Sequence, residues 1–232
     1  MDSFVKVQKL YIKFLDVISM CTESEQLFKK YCALRGYGIK PIEIIPGDGQ
    51  FPDYEIQTPC GSVICEVKEI LPNEEDKATD ETLKRYGRLP IANERKIGKR
   101  PRSALKKACK QLGRFRYDSR PCVAVLYDKT FAYYLEPEEI DAAMFGDLVV
   151  LFPKNPTDWG LDFTHGSDQS LDLKRGRYLG AVAVLRSADH EGPFRLDIYH
   201  NPFTSKPVSR AYFPDPQDRH FFKEEGLAGW EL

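Results

Sequence analysis

The chain lacks any apolar run near the roughly 18 residues that a membrane-spanning helix needs, so no membrane partner is expected. Its opening residues carry lysines at 6, 9 and 13 among apolar positions and no small-residue cleavage site. That pattern argues against a secretory leader. No C-x-x-C pair occurs among the six cysteines, which leaves a structural zinc site and a disulfide scaffold without support. Cys32, Cys65, Cys109 and Cys122 fall in apolar patterns, where a free thiol behaves as a small hydrophobe, and a reducing cytoplasm is the expected compartment. All four histidines lie in the C-terminal half, in neither a His-Asn-His nor a GIY-YIG pattern. A G-x-S-x-G elbow and a Gly-x4-Gly-Lys loop are also missing, which excludes the usual serine-hydrolase and nucleotide-hydrolysing signatures. There is no internal repeat and no low-complexity tract.

What is present is an ordinary globular composition, 42% hydrophobic and 30% charged, over 232 residues. The length fits a single domain, 1–232, with elaborations. The net charge of -1 hides an asymmetry. Between Lys84 and Arg116, thirteen basic residues face one acid, Glu94, a local excess of +12. A solvated loop is the bland reading of that stretch; a phosphate-binding surface is the functional one.

Hydrophobic periodicity and punctuation give the element order. A first helix is expected over 4–18, and a second runs from the N-cap candidates Thr22 and Ser24 to about Leu34, stopped by Gly36-Tyr37-Gly38. Strands are expected at 39–45, 51–57 and 63–71, with Pro59-Cys60-Gly61 as a hairpin turn. Residues 73–97 read as polar and irregular, with a short helix around 81–86. Pro101 then opens a helix with an apolar stripe of Ala104, Leu105, Ala108, Cys109 and Leu112. A buried strand follows at 122–127, then a short helix at 137–145 and a loop at 155–169. Strands at 178–186, 194–199 and 208–213 either extend the sheet or form a small β subdomain.

One stretch carries the chemistry: Phe51-Pro52-Asp53-Tyr54, then Val63-Ile64-Cys65-Glu66-Val67-Lys68-Glu69-Ile70. Alternation along a strand puts Glu66 and Lys68 on one face with Ile64 and Ile70, and Val63, Cys65, Val67 and Leu71 on the other. A strand apolar on both faces is central in its sheet. A carboxylate and an ammonium buried there are costly unless they pair or meet a cation. Asp53 supplies a second acid from a neighbouring strand end. Other acid-x-Lys triplets occur at Glu75-Asp76-Lys77, Glu94-Arg95-Lys96 and Asp172-Leu173-Lys174. Only Glu66-Val67-Lys68 has an upstream Pro-Asp at hairpin distance and apolar residues on each side.

Pro52-Asp53, a gap of twelve, and Glu66-Val67-Lys68 resemble the motif of the PD-(D/E)XK nuclease superfamily, whose fold is called restriction-endonuclease-like. The resemblance spans about 22–128. It implies an α/β fold with a restriction-endonuclease-like central mixed sheet flanked by helices. A core at 20–128 would be followed by a C-terminal β-rich elaboration at 129–232. It implies cleavage of nucleic-acid phosphodiesters, DNA ahead of RNA, with Mg2+ or Mn2+ as cofactor. Asp53, Glu66 and the Val67 carbonyl would hold the metal, and Lys68 would orient water and balance charge. Such enzymes often place a further acid on the preceding helix. Glu25, in one row with Phe28 and Cys32, takes that place as ligand and catalytic residue, although Thr22-Glu23-Ser24-Glu25 also fits a capping box. Several branches carry a glutamine on the helix after the lysine strand. Gln111, in a row with Ala104, Ala108 and Phe115, matches it, with a plain helix-to-sheet buttress as the alternative. Arg100, Arg102, Lys106, Lys107, Lys110 and Arg114 are the expected backbone contacts. Double-strand cutting often needs two sites, which makes a homodimer an expected partner state. A catalytically silent nucleic-acid-binding or scaffolding module of the same fold is the competing reading, and a protein-interaction module is the third.

Overall fold

The computed structural model describes residues 21–43, 50–87, 96–130, 135–151, 162–166, 168–187, 193–223 and 230. The helix expected at 4–18 lies outside them. Element order is α1 (Glu23–Leu34), β1 (Gly38–Pro41), β2 (Tyr54–Thr58), β3 (Gly61–Ile70), α2 (Glu74–Tyr86), α3 (Lys99–Leu112), a 3-10 turn (Gly113–Phe115), β4 (Cys122–Asp128), α4 (Pro137–Phe145), β5 (Leu148–Leu151), β6 (Asp162–His165), β7 (Leu179–Ser187), β8 (Phe194–His200) and β9 (Arg219–Phe221).

Seven strands form one mixed sheet in the order β1-β2-β3-β4-β7-β8-β9. β1, β2 and β3 pair antiparallel, β3, β4 and β7 run parallel, β8 reverses against β7, and β9 is parallel to β8. Of the two alternatives left open by the sequence, the C-terminal strands extend the sheet. Among the described residues only β5 and β6 stand apart, as a two-stranded ribbon.

The sheet is buried on both faces because its central strands, β3, β4 and β7, carry apolar residues on both faces along most of their length. On one face α1 lays Leu27, Phe28, Tyr31 and Cys32 over Cys65, Val67, Val123 and Val125. On the other, Ala104, Leu105, Ala108 and Leu112 of α3 and Ile140 and Met144 of α4 cover Ile64, Ala124, Leu126 and Val182. Burying one such large side chain contributes about 1.5–3 kcal/mol. Glu66 and Lys68 alternate with the first set, so they belong to the face covered by α3.

The helices are anchored by sequence-encoded caps and pairs. Thr22 caps α1 by accepting from the Glu25 amide. Gly98, at φ +72°, starts α3 in the left-handed region, and a Cβ there would lie 2.6 Å from that of Ala142. That close approach lets the Gly98 amide donate to the Glu139 carboxylate of α4.

Several boundaries differ from the sequence expectation. β2 begins at Tyr54, which leaves Phe51, Pro52 and Asp53 as a loop. α3 begins two residues before Pro101. The stretch read as irregular holds a 13-residue helix, α2, closed at its start by a reciprocal Asn73–Asp76 capping box and at its end by Gly87. It buries no residue, so it carried no apolar stripe to read. Leu71 lies past the end of β3 and is exposed. β6 lies within the expected loop at 155–169. The strand expected at 208–213 is a series of turns that buries Val208 and Phe213, and the last strand is β9 instead. All six cysteines are free thiols.

Candidate active site

The β2–β3 hairpin creates the site. Its ladder ends at the pair Tyr54↔Cys65, so β3 runs on past the start of β2. The Val67 amide, on that vacated side, donates instead to Asp53 Oδ2 at 2.8 Å. The Val67 carbonyl points to the same side, because the N–H and C=O of one strand residue do. In return the Asp53 amide donates to Glu66 Oε2 at 3.0 Å. The Lys68 ammonium bonds Glu66 Oε1. Asp53, Glu66, Val67 and Lys68 are therefore one contiguous group.

Its electrostatics are unbalanced. The Glu66 side chain is 0% exposed and that of Lys68 is 24% exposed. Burial first, and the Asp53 charge second, push the Glu66 carboxyl up to about 8, against the pull of Lys68. Burial also raises Asp53, helped by the charge of Glu25 and opposed by the Val67 amide and Lys68. A buried and a half-buried acid share one ammonium, an arrangement that an added cation would relieve.

Glu25 sits at the edge of this group. Its carboxylate accepts from the Tyr54 hydroxyl at 3.2 Å rather than closing a capping box on Thr22, and the Tyr54 phenol is raised by burial and by Glu25. Among the described residues no group of three or more His, Cys, Asp or Glu side chains is placed to hold a metal ion. Asp53, Glu66 and the Val67 carbonyl are oxygen donors of the kind magnesium and manganese take.

Gln111 is buried, and its amide donates to the Phe51 carbonyl at 2.8 Å. It therefore holds the loop two residues before Asp53 and touches neither acid. The Arg114 guanidinium covers the Phe51 ring at 4.5 Å. Lys106, Lys107, Lys110 and Arg114 are exposed along α3 and its end. Arg102 is different: it is 5% exposed, and its guanidinium bonds the Ala142 carbonyl (2.6 Å) and Asp147 (2.7 Å). This ties α3 to α4 and removes Arg102 from the expected phosphate contacts. Arg100 pairs with Asp76 at 2.6 Å and bonds the Leu71 carbonyl, fastening α2.

Sequence reasoning missed Tyr54 and Phe51, whose roles need the three-dimensional hairpin. It also missed Asp197, an acid inside an apolar strand and so visible in principle. Asp197 takes Arg219 at 2.6 Å, Arg186 at 3.1 Å and Arg195 at 3.2 Å. His200 and His220 bond ring to ring at 2.9 Å inside the fold.

Compared with known proteins, the chain matches no family model, no curated protein and no solved structure. No helix among the described residues is long and apolar enough to cross a membrane.

Proposed function

We propose that this chain is a divalent-metal-dependent phosphodiesterase of the PD-(D/E)XK kind, acting on nucleic acid, with DNA ahead of RNA. One observation carries the reading: Asp53, Glu66 and Lys68, distant in chemistry from an ordinary apolar strand, meet where β2 gives way along β3. The mixed sheet with helices on both faces supports it. Asp53, Glu66 and the Val67 carbonyl would hold magnesium or manganese, which supplies Lewis-acid polarisation of the phosphate when bound. With the two acids held by such a cation, the Lys68 ammonium would be free to orient water and to stabilise the charge that develops on the phosphoryl oxygens. Glu25 contributes further negative charge beside Asp53. Gln111 positions the Asp53 loop through the Phe51 carbonyl. Lys106, Lys107, Lys110 and Arg114 present cations on the helix that covers this face, suited to holding a polyanion.

A second reading is favoured by a specific contact pattern: both Glu66 oxygens already have protein partners. A catalytically silent binding module would keep that pair closed. A plasmid-nicking assay with magnesium separates the two. Wild-type nicking that falls at least about a hundredfold in Lys68→Ala and in Glu66→Ala supports catalysis, a loss of the order seen when one transition-state donor is removed. Salt-sensitive DNA binding with no wild-type nicking supports the silent module instead.

A further inference from the structure

The turn after α3 alternates cations and rings: Arg114-Phe115-Arg116-Tyr117. Phe115 is spent on the fold, packing against the apolar cluster under α3. Tyr117 is not. It is 90% exposed, and the Arg116 guanidinium stands 5.4 Å from its ring. Exposed apolar residues scattered singly need no explanation. This one stands in a cationic neighbourhood next to the candidate site. Arg114, three residues earlier, covers Phe51 at 4.5 Å, and Phe51 is two residues from Asp53. At most about 11 Å of chain separates the α-carbons of Arg114 and Tyr117. Lys206 adds a further ammonium, donating to the Phe115 carbonyl at 2.9 Å.

A duplex offers an exposed ring only phosphates and sugars, since its base faces are already stacked. A single strand offers base faces and phosphates together, and ring-plus-cation surfaces bind it by stacking and charge. We infer that Tyr117, with Lys110, Arg114 and Arg116, forms a platform for single-stranded nucleic acid. Unpaired bases stack on the Tyr117 ring while the cations hold their phosphates. The inference rests on the nucleic-acid reading above and narrows it: the preferred substrate carries an unpaired strand beside the scissile bond.

Fluorescence anisotropy tests this without divalent ion, so binding is read apart from cleavage. The probes are a labelled oligothymidylate and a blunt duplex of equal length. Tyr117→Ala is expected to weaken oligothymidylate binding about tenfold, a typical loss for one stacked base, and duplex binding by less than about twofold. Tyr117→Trp is expected to keep the wild-type affinity. Because the Tyr117 side chain is 90% exposed, thermal melts of both variants should match the wild type. Equal losses on both probes, or no loss on the single strand, overturn the platform. Nicking is scored separately on the same preparations. Absent nicking with Tyr117-dependent single-strand binding sinks catalysis alone, and wild type that binds neither probe sinks both proposals.

Discussion

Glu66 and Asp197 make an instructive pair. Both side chains are fully buried, in one sheet and on one face. Successive register pairs connect Asp197 to Lys68, the partner of Glu66: Lys68 pairs with Leu126, Leu126 with Val184, and Val184 with Asp197. Yet burial leads to opposite outcomes. At Asp197 burial pushes the carboxyl up, but the Arg219 hydrogen bonds and the charges of Arg186, Arg219 and Arg195 outweigh it and hold the group below its usual range. At Glu66 the nearest charges are one ammonium and a second acid, so the carboxyl rises to about 8. Depth in the fold does not by itself set the direction in which a buried acid shifts; the charge of the neighbours does. The first arrangement is complete within the protein. The second leaves negative charge that a divalent cation would neutralise.

The comparison can be broken by exchanging each acid for its amide. Asp197→Asn leaves three guanidiniums without their carboxylate, and urea unfolding at neutral pH should show a loss of about 3 kcal/mol. Glu66→Gln should act in the opposite direction in the absence of metal. The folded state keeps a proton on Glu66 that the unfolded chain gives up between 4.5 and about 8. The raised carboxyl therefore erodes stability as pH climbs through that window and costs nothing below it. The amide mimics the protonated form, so Glu66→Gln should gain roughly 1–2 kcal/mol over wild type at pH 8 and nothing at pH 4.5. A loss at pH 8 equal to that of Asp197→Asn would mean that the two acids are alike.

Magnesium sharpens the contrast. At tenfold above its Kd, a cation that binds only the folded protein adds about 1.4 kcal/mol. This gain should appear as a raised melting temperature for wild type at pH 8, be absent in Glu66→Gln, and survive a conservative Arg195→Lys change at the other centre. A smaller effect is expected at Gln111, where Ala removes the hold on the Phe51 carbonyl. Stability should fall by about 1 kcal/mol, and nicking should fall through kcat more than through KM. The histidine pair gives the smallest and opposite pH signal. Burial, then the neighbouring His220, lowers His200 to about 4. Its contribution is complete above pH 6.5 and is lost as pH falls towards 4, so His200→Gln should flatten the acid limb of a stability profile.

Much of the site was legible before the fold was known, for a physical reason. Glu66 and Lys68 interrupt an apolar run at a spacing of two, and only a strand makes them neighbours. The order of helix, three strands, helix and strand around them followed from periodicity and turns, and α1, β3, β4 and α4 fall where it placed them. What could not be read depends on contacts between distant segments. Arg102 looks like its cationic neighbours until Asp147 and the Ala142 carbonyl draw it inside. Gln111 sits on the inward row as expected, but its partner is a backbone oxygen sixty residues earlier. Of α2 only the end, at 81–86, was read, because its caps and not a hydrophobic face encode the rest. β9 escaped because three residues, Arg219–Phe221, are too short for alternation to show.

Anomalous diffraction from manganese-soaked crystals grown near pH 8 tests the central claim most directly. The expected result is one manganese peak bonded to carboxylate oxygens of Asp53 and Glu66 and to the Val67 carbonyl, at roughly 2.0–2.3 Å, with the Lys68 ammonium moved off Glu66. A map with no peak there, and with Lys68 still closed on Glu66 at saturating manganese, would contradict it.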